Sequence, residues 1–185
     1  MAQTATNVTA AKPATGGSLS VAATTATLPT TTSATLTGFT NLGYISEDGL
    51  TNELTRDSEE VKAWGGDTVL SPQTGFTDTF SCTLIETLNV DVLKEVFGAS
   101  NVTGSLSAGI AVDVNSEELV ERAWVFDMVM RGGVAKRVVI PNGRITELGE
   151  VSYTDSDAAG YEITITAFPD SSGNTHYEYI KEPAS

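Results

Sequence analysis

The chain has 185 residues, 24 acidic against 10 basic side chains, and a formal charge of −14. That is one domain's length, and an apolar content of 40% is enough for a buried core. So acidic a surface argues against a basic nucleic-acid groove or an anionic membrane partner, and a single cysteine and a single histidine exclude a disulfide framework and a cysteine-rich or multi-histidine metal centre.

The charge is unevenly placed. Residues 1–46 contain no acid and one base, Lys12. The first 40 residues hold 13 threonines and 9 alanines. Residues 1–37 are therefore read as an extended or flexible Thr/Ala-rich N-terminal arm, and residues 38–185 as the β-domain. Residues 1–10 lack the basic start and apolar stretch of a secretory signal. The strongest apolar run, 123–130, is interrupted by Asp127 and is too short to span a bilayer, so no membrane insertion is expected. Without a signal, the Asn-Val-Thr sequences at Asn7 and Asn101 read as chance matches to the glycosylation pattern.

In chain order, residues 1–15 are polar and aperiodic. Residues 17–22 (GSLSVA) alternate weakly, as a short strand would. Residues 23–37 are rich in Thr, Ala and Pro; β-branched threonine disfavours helix and suits an extended path. Such a path fits either a flexible linker or an arm docking on a neighbouring subunit. Residues 41–46 read as a strand entering a turn at Glu47-Asp48-Gly49, with 50–55 returning as the hairpin partner. Residues 56–67 mix charges, Trp64 and two glycines, which suggests a long, partly extended loop or β-arm. Residues 75–85 alternate cleanly: Phe76, Phe80, Cys82 and Leu84 on one face, Thr77, Thr79, Ser81 and Thr83 on the other. On that apolar face Cys82 reads as a small buried hydrophobe.

One helix is expected over about 89–97. Asn89 fits the N-cap, Asp91 the positive end of the helix dipole, and Gly98 the position after the end. Val90, Leu93, Val96 and Phe97 form its apolar stripe, with Lys94 and Glu95 pointing away. Residues 109–114 alternate as a strand, and 116–121 suggest a helical turn. Residues 122–130 are largely apolar on both faces, predicting burial on both sides or at a subunit contact. Arg131-Gly132-Gly133 is a tight turn into a strand at 134–140, ended by Pro141-Asn142-Gly143. Residues 144–153, 161–168 and 175–181 complete the strands. About ten strands with one flanking helix predict a mainly β fold, an antiparallel β-sandwich or barrel.

No constellation carries chemistry. Asp155-Ser156-Asp157-Ala158-Ala159-Gly160 opens like a calcium loop but has Ala159 and Thr166 where oxygen ligands are needed. There is no nucleophile elbow, phosphate loop or zinc-protease motif. His176 beside Tyr177 and Glu178 has no site pattern around it and reads as a surface or hydrogen-bonded histidine. No catalytic, cofactor-binding or metal-binding residue is assigned, no cofactor is expected, and the protein is not expected to be an enzyme. What remains is an acidic β-protein with an acid-free arm and a strand apolar on both faces, features that need partners.

Several segments resemble the major tail proteins of long-tailed, non-contractile bacteriophages, especially those of actinobacterial hosts. They are residues 42–50 (LGYISEDGL), 58–67 (SEEVKAWGGD), 80–93 (FSCTLIETLNVDVL), 124–141 with its Arg131-Gly132-Gly133 turn, and 173–181 (GNTHYEYIK). Their order and spacing carry the likeness from about Lys12 onward, while the Thr-rich arm departs from it. The resemblance implies a tail tube protein, with a β-sandwich or barrel and one helix, a fold shared with the type VI secretion tube. It implies self-assembly into hexameric rings stacked into a tube, around a tape-measure protein and bounded by tail terminator and distal tail proteins. Genomic DNA would pass through the lumen without specific binding, and the protein would reside in the virion after synthesis in the host cytoplasm. On the same resemblance, residues 55–74 would meet the adjacent ring. The alternative is a β-sandwich binding module or virion surface adhesin. Under the tail-tube reading, the acid-free first 46 residues suit contact with another acidic subunit, where more negative charge would repel.

Overall fold

The alternation at residues 75–85 is realised as part of a 12-residue strand, Gln73–Leu84. This computed structural model describes residues 3–15 and 17–183. In chain order its strands are β1 (Ala11–Pro13), β2 (Leu19–Ala23), β3 (Thr40–Asn41), β4 (Thr51–Ser58), β5 (Val61–Lys62), β6 (Thr68–Leu70) and β7 (Gln73–Leu84). The helix α1 (Val90–Phe97) follows, then β8 (Val102–Ser105), β9 (Gly109–Val112), β10 (Arg122–Met130), β11 (Ala135–Leu148), β12 (Tyr161–Ala167) and β13 (Tyr177–Lys181). The fold is mainly β with one α-helix, as its pattern predicts.

The large sheet is antiparallel and runs β3-β2-β10-β11-β12-β7-β4. β1 joins the far half of β10, and β13 joins the first half of β11. In a flat sheet β7 and β10 would stand about 14 Å apart, three strand spacings. Instead the rings of Phe80 on β7 and Phe126 on β10 stack with centroids 6.2 Å apart. The sheet therefore curls over its own core. The segment after β3 bridges its two ends: Asn41 pairs with Ser20, and Ile45 pairs with Leu84. The arrangement is sandwich-like, not a closed barrel. Its core holds Leu19, Leu42, Phe80, Trp124, Phe126, Ile140, Ile163 and Ile165, all fully buried.

α1 packs on this core through Val92, Leu93 and Val96, while Val90 and Phe97 are half-buried at the edge of the stripe. The Asn89 side chain accepts a hydrogen bond from the Asp91 amide at 3.0 Å, and Gly98 ends the helix at φ 94°. Glu95 does not point into solvent as expected; it receives Arg122 Nε at 3.1 Å, tying the helix to the start of β10.

β10 is buried at each of residues 123–126. One face joins the core. The other bears Val125 and Asp127, and the chain's own Thr31 and Ala34 reach this face through Arg137. Arg137, opposite Asp127, holds that carboxylate through Nε and Nη2 at 2.6 and 2.8 Å. Its Nη1 donates to the carbonyls of Thr31 and Ala34 at 3.0 and 2.8 Å. The Thr-rich segment thus lies against its own sheet, clasped by a buried guanidinium.

Besides Glu95, four sequence expectations change. Glu47-Asp48-Gly49 is a turn, with the Gly49 amide bonded to the Ser46 carbonyl at 3.0 Å, but its flanks do not pair with each other. Both lie along one edge of β7, Ile45 opposite Leu84 and Thr51 opposite Ser81, so the turn is an outward bulge. Pro141-Asn142-Gly143 does not end a strand. β11 runs through it with a register shift, Trp124 facing Ile140 and Arg122 facing Gly143. A proline without an N–H is tolerated where the ladder is already broken. Residues 116–121 form no helical turn. Phe76, expected on the buried face, is exposed because β7 leaves the core before reaching it.

Candidate assembly surface

β4 and the first half of β7 form a two-stranded arm that projects from the sheet. Their register runs from Thr51 opposite Ser81 out to Ser58 opposite Gln73. Beyond it β5 pairs with β6, and the Ala63 amide closes the tip on the Asp67 carbonyl at 2.8 Å. Gly65 and Gly66 take positive φ there (120° and 101°), a conformation that favours glycine. Every residue from 51 to 74 is exposed.

The arm's sequence is not that of a solvated hairpin. Leu54, Val61, Trp64, Val69, Leu70 and Phe76 all stand in solvent, Trp64 fully so at the tip. Leu54, Arg56 and Phe76 lie on the face that continues inward to Asp78 and Phe80, so the core face of β7 is prolonged onto the arm. Arg56 lies over the Phe76 ring at 4.8 Å. A two-stranded ribbon alone is marginal in water, and an apolar one invites a partner.

A buried carboxylate fixes the root. Asp78 sits where β7 passes from arm to core, its side chain wholly buried. It accepts hydrogen bonds from Asn52 Nδ2 at 2.8 Å, Thr175 Oγ1 at 2.6 Å and His176 Nδ1 at 2.6 Å. The His176 ring also stands edge-on to Phe80, centroids 5.1 Å apart. Both arm strands and the lead-in to β13 thus converge on one group. Burial pushes the Asp78 carboxyl up, but the bonds from His176, Thr175 and Asn52 outweigh it and hold it below the ordinary value of 3.8. The bond to Asp78 raises His176 above its ordinary 6.5 despite its burial.

His176 is therefore a hydrogen-bonded structural histidine, one of the two readings its sequence context allowed. Asp78 is the residue that sequence reasoning missed. An acid between Phe76 and Phe80 on an apolar face was the available signal. Cys82 is buried on that face, and burial pushes its thiol up to about 12. Among the described residues no group of three His, Cys, Asp or Glu side chains is placed to hold a metal ion. Residues 155–160 form a loop, exposed at 155–158, with the Asp157 amide bonded to Thr154 Oγ1 at 3.1 Å. No helix among the described residues is long and apolar enough to cross a membrane.

A family model of phage tail tube proteins matches residues 3–184. The chain belongs to the phage tail tube protein family. It is thus a structural component of the virion tail. No curated protein matches the chain. Among solved structures it is similar to the anti-feeding prophage cap (AFP tube terminating cap), determined by cryo-EM. That similarity has a TM-score of 0.46 and 11% identity, covering 96% of this chain and 98% of the other.

Unpaired sheet edges complete the surface of this tail tube protein. Among the described residues β4 pairs only with β7, and β13 only with β11, so each offers a free row of backbone donors and acceptors. Ile180 on β13 is exposed. Lys136 and Glu178, paired at 2.7 Å, stand beside that edge.

Proposed function

We propose that this tail tube protein self-assembles into hexameric rings that stack into a hollow tube, the conduit for DNA ejection into the host. The observation that carries this reading is the arm: six large apolar side chains on a fully exposed ribbon anchored by a buried carboxylate. Free edges at β4 and β13 support lateral pairing, because strands of neighbouring copies would satisfy the unpaired backbone groups around a closed ring. The arm before Thr37 and residues 55–74 make contacts between rings, the former through the residues it leaves exposed outside β2 and the Thr31–Ala34 clasp. The tube surrounds a tape-measure protein and is bounded by tail terminator and distal tail proteins.

The charge suits a conduit. A ring of six carries six times −14, or −84, formal charges. Duplex DNA carries one negative charge per about 1.7 Å of axis, so a lumen of the same sign repels the duplex and leaves it free to slide. Replacing lumen-facing acids with lysine in tubes of normal length should slow or stall ejection. Ejection at the native rate from such tubes would refute the electrostatic part of the account. Assembly itself is tested by negative-stain microscopy of the purified chain, in which rings and tubes are expected; a binding module or adhesin would give dispersed particles.

A further inference from the structure

One broad face of the sheet carries no feature that needs a protein partner. We propose that this face, the outer side of β4, β7 and β12, is the wall of the bore along which duplex DNA slides, with α1 turned to the outside of the tube. This rests on the tube reading and adds which side of the chain faces the lumen.

Alternation and register define the face. Phe80, Cys82 and Leu84 of β7 are buried in the core, so Thr77, Thr79, Ser81 and Thr83 point away from it. On β4, Thr51, Glu53 and Thr55 lie opposite Ser81, Thr79 and Thr77, and Asp57 lies opposite Gly75. On β12, Glu162, Thr164 and Thr166 lie opposite Thr83, Ser81 and Thr79. The face therefore runs from the core sheet onto the arm, on the side opposite Leu54 and Phe76. α1 packs on the other side of β12, where Phe97 stands edge-on to Tyr161, centroids 5.4 Å apart.

The chemistry of this face is that of a surface which does not grip. All of these side chains are threonine, serine or acid; none is a base or an aromatic ring. Phosphate finds no cation on them, and a base finds no ring to stack on. Some of the hydroxyls are already engaged with one another. Ser81 Oγ and Thr164 Oγ1 are 3.3 Å apart, and Thr166 Oγ1 is 2.8 Å from Thr146 Oγ1 on β11. At the margin, Arg144 is paired with Glu118 and lies over the Phe168 ring at 5.3 Å, so both groups are occupied. The side chains are also mostly short, which keeps a closed ring open at its centre. Among the described residues, none of the large apolar side chains that stand in solvent lies on this face. It can therefore stay wet when the apolar arm is covered. Its border at β4 is an open strand edge, so pairing there would carry the face from copy to copy around a ring.

The test compares the two sides of β12 in preformed tubes of the full chain. Thr77→Cys and Glu162→Cys place single thiols on the wall, and Asp91→Cys places one on α1; all three positions are exposed in the free chain. Buried Cys82 is protected from the reagent. The tubes are treated with a small biotin maleimide, then with streptavidin on gold beads wider than the tube. The expected result is biotin on all three variants and gold along Asp91→Cys tubes alone. Gold along Thr77→Cys or Glu162→Cys tubes, or no biotin on them, overturns the assignment and leaves the tube reading standing. Bare Asp91→Cys tubes overturn the outward placement of α1. In phage particles, Glu162→Lys should slow DNA ejection about tenfold at low salt, with the native rate returning as salt rises, while Asp91→Lys leaves it unchanged. Equal rates for the two variants overturn the assignment. A native chain that forms no tubes under any condition overturns the tube reading itself.

Discussion

Asp78 makes the sharpest residue-level case. A carboxylate with a fully buried side chain is stable only because three side chains donate to it. Removing it strands His176, Thr175 and Asn52 together, so Asp78→Ala should cost about 3–5 kcal/mol, read by chemical denaturation. The pH dependence follows from the two shifts. His176 holds its proton more tightly folded than unfolded, so its contribution is complete below its ordinary 6.5 and is lost as pH rises through the raised value. Asp78 behaves oppositely: its contribution is complete above its ordinary 3.8 and is lost as pH falls through the lowered value. The pair therefore contributes most between about pH 4 and 6.5. Against His176→Gln, the native chain's advantage in melting temperature should shrink from pH 6 to pH 9. An advantage constant over that range would show that the histidine contributes packing alone.

At the scale of elements, the most informative parts are the ones where local pattern and topology part company. β7, β12 and α1 were legible because each carries its own period: alternation for the strands, a capped stripe for the helix. The arm was legible as an arm because residues 56–67 mix charge, glycine and tryptophan with no period to bury. The bulge in β11 was not legible. Pro141-Asn142-Gly143 is ordinary turn chemistry locally, and only the packing of Trp124 against it explains why the strand continues. Trp124 Nε1 donates to the Gly143 carbonyl at 3.0 Å, and the Phe168 amide donates to the Asn142 carbonyl at 2.8 Å. A methyl group on Gly143 would stand 2.9 Å from Ile165 Cγ2 and 3.0 Å from both Ile140 Cγ2 and Trp124 Cδ1. Gly143→Ala should therefore destabilise by about 1–3 kcal/mol through overpacking, although its backbone does not need glycine. The 47–49 turn was misleading for a related reason. An Asp-Gly turn favours a hairpin, but here both flanks found the longer partner, β7. The assembly surface was half legible: its arm was visible in the sequence, while Asp78 and the open edges of β4 and β13 depend on which strands become neighbours.

For the whole molecule, the features that are unfavourable in a lone domain become coherent in a polymer. An isolated chain exposes Trp64 and the arm's aliphatic residues, leaves strand edges such as those of β4 and β13 open and carries a charge of −14. Docked arms and paired edges would bury the first two, while the charge keeps free subunits soluble and apart until assembly. Because the arm buries none of its residues from 51 to 74, replacing 59–72 with a short turn should leave the core's melting temperature within a few degrees. The same deletion should abolish stacking. The most direct measurement is microscopy of the purified native chain at rising concentration, with the arm-deleted chain beside it. The account predicts stacked six-fold rings from the native chain and folded, dispersed subunits or single rings from the deletion. Tubes of normal length from the arm-deleted chain would contradict it.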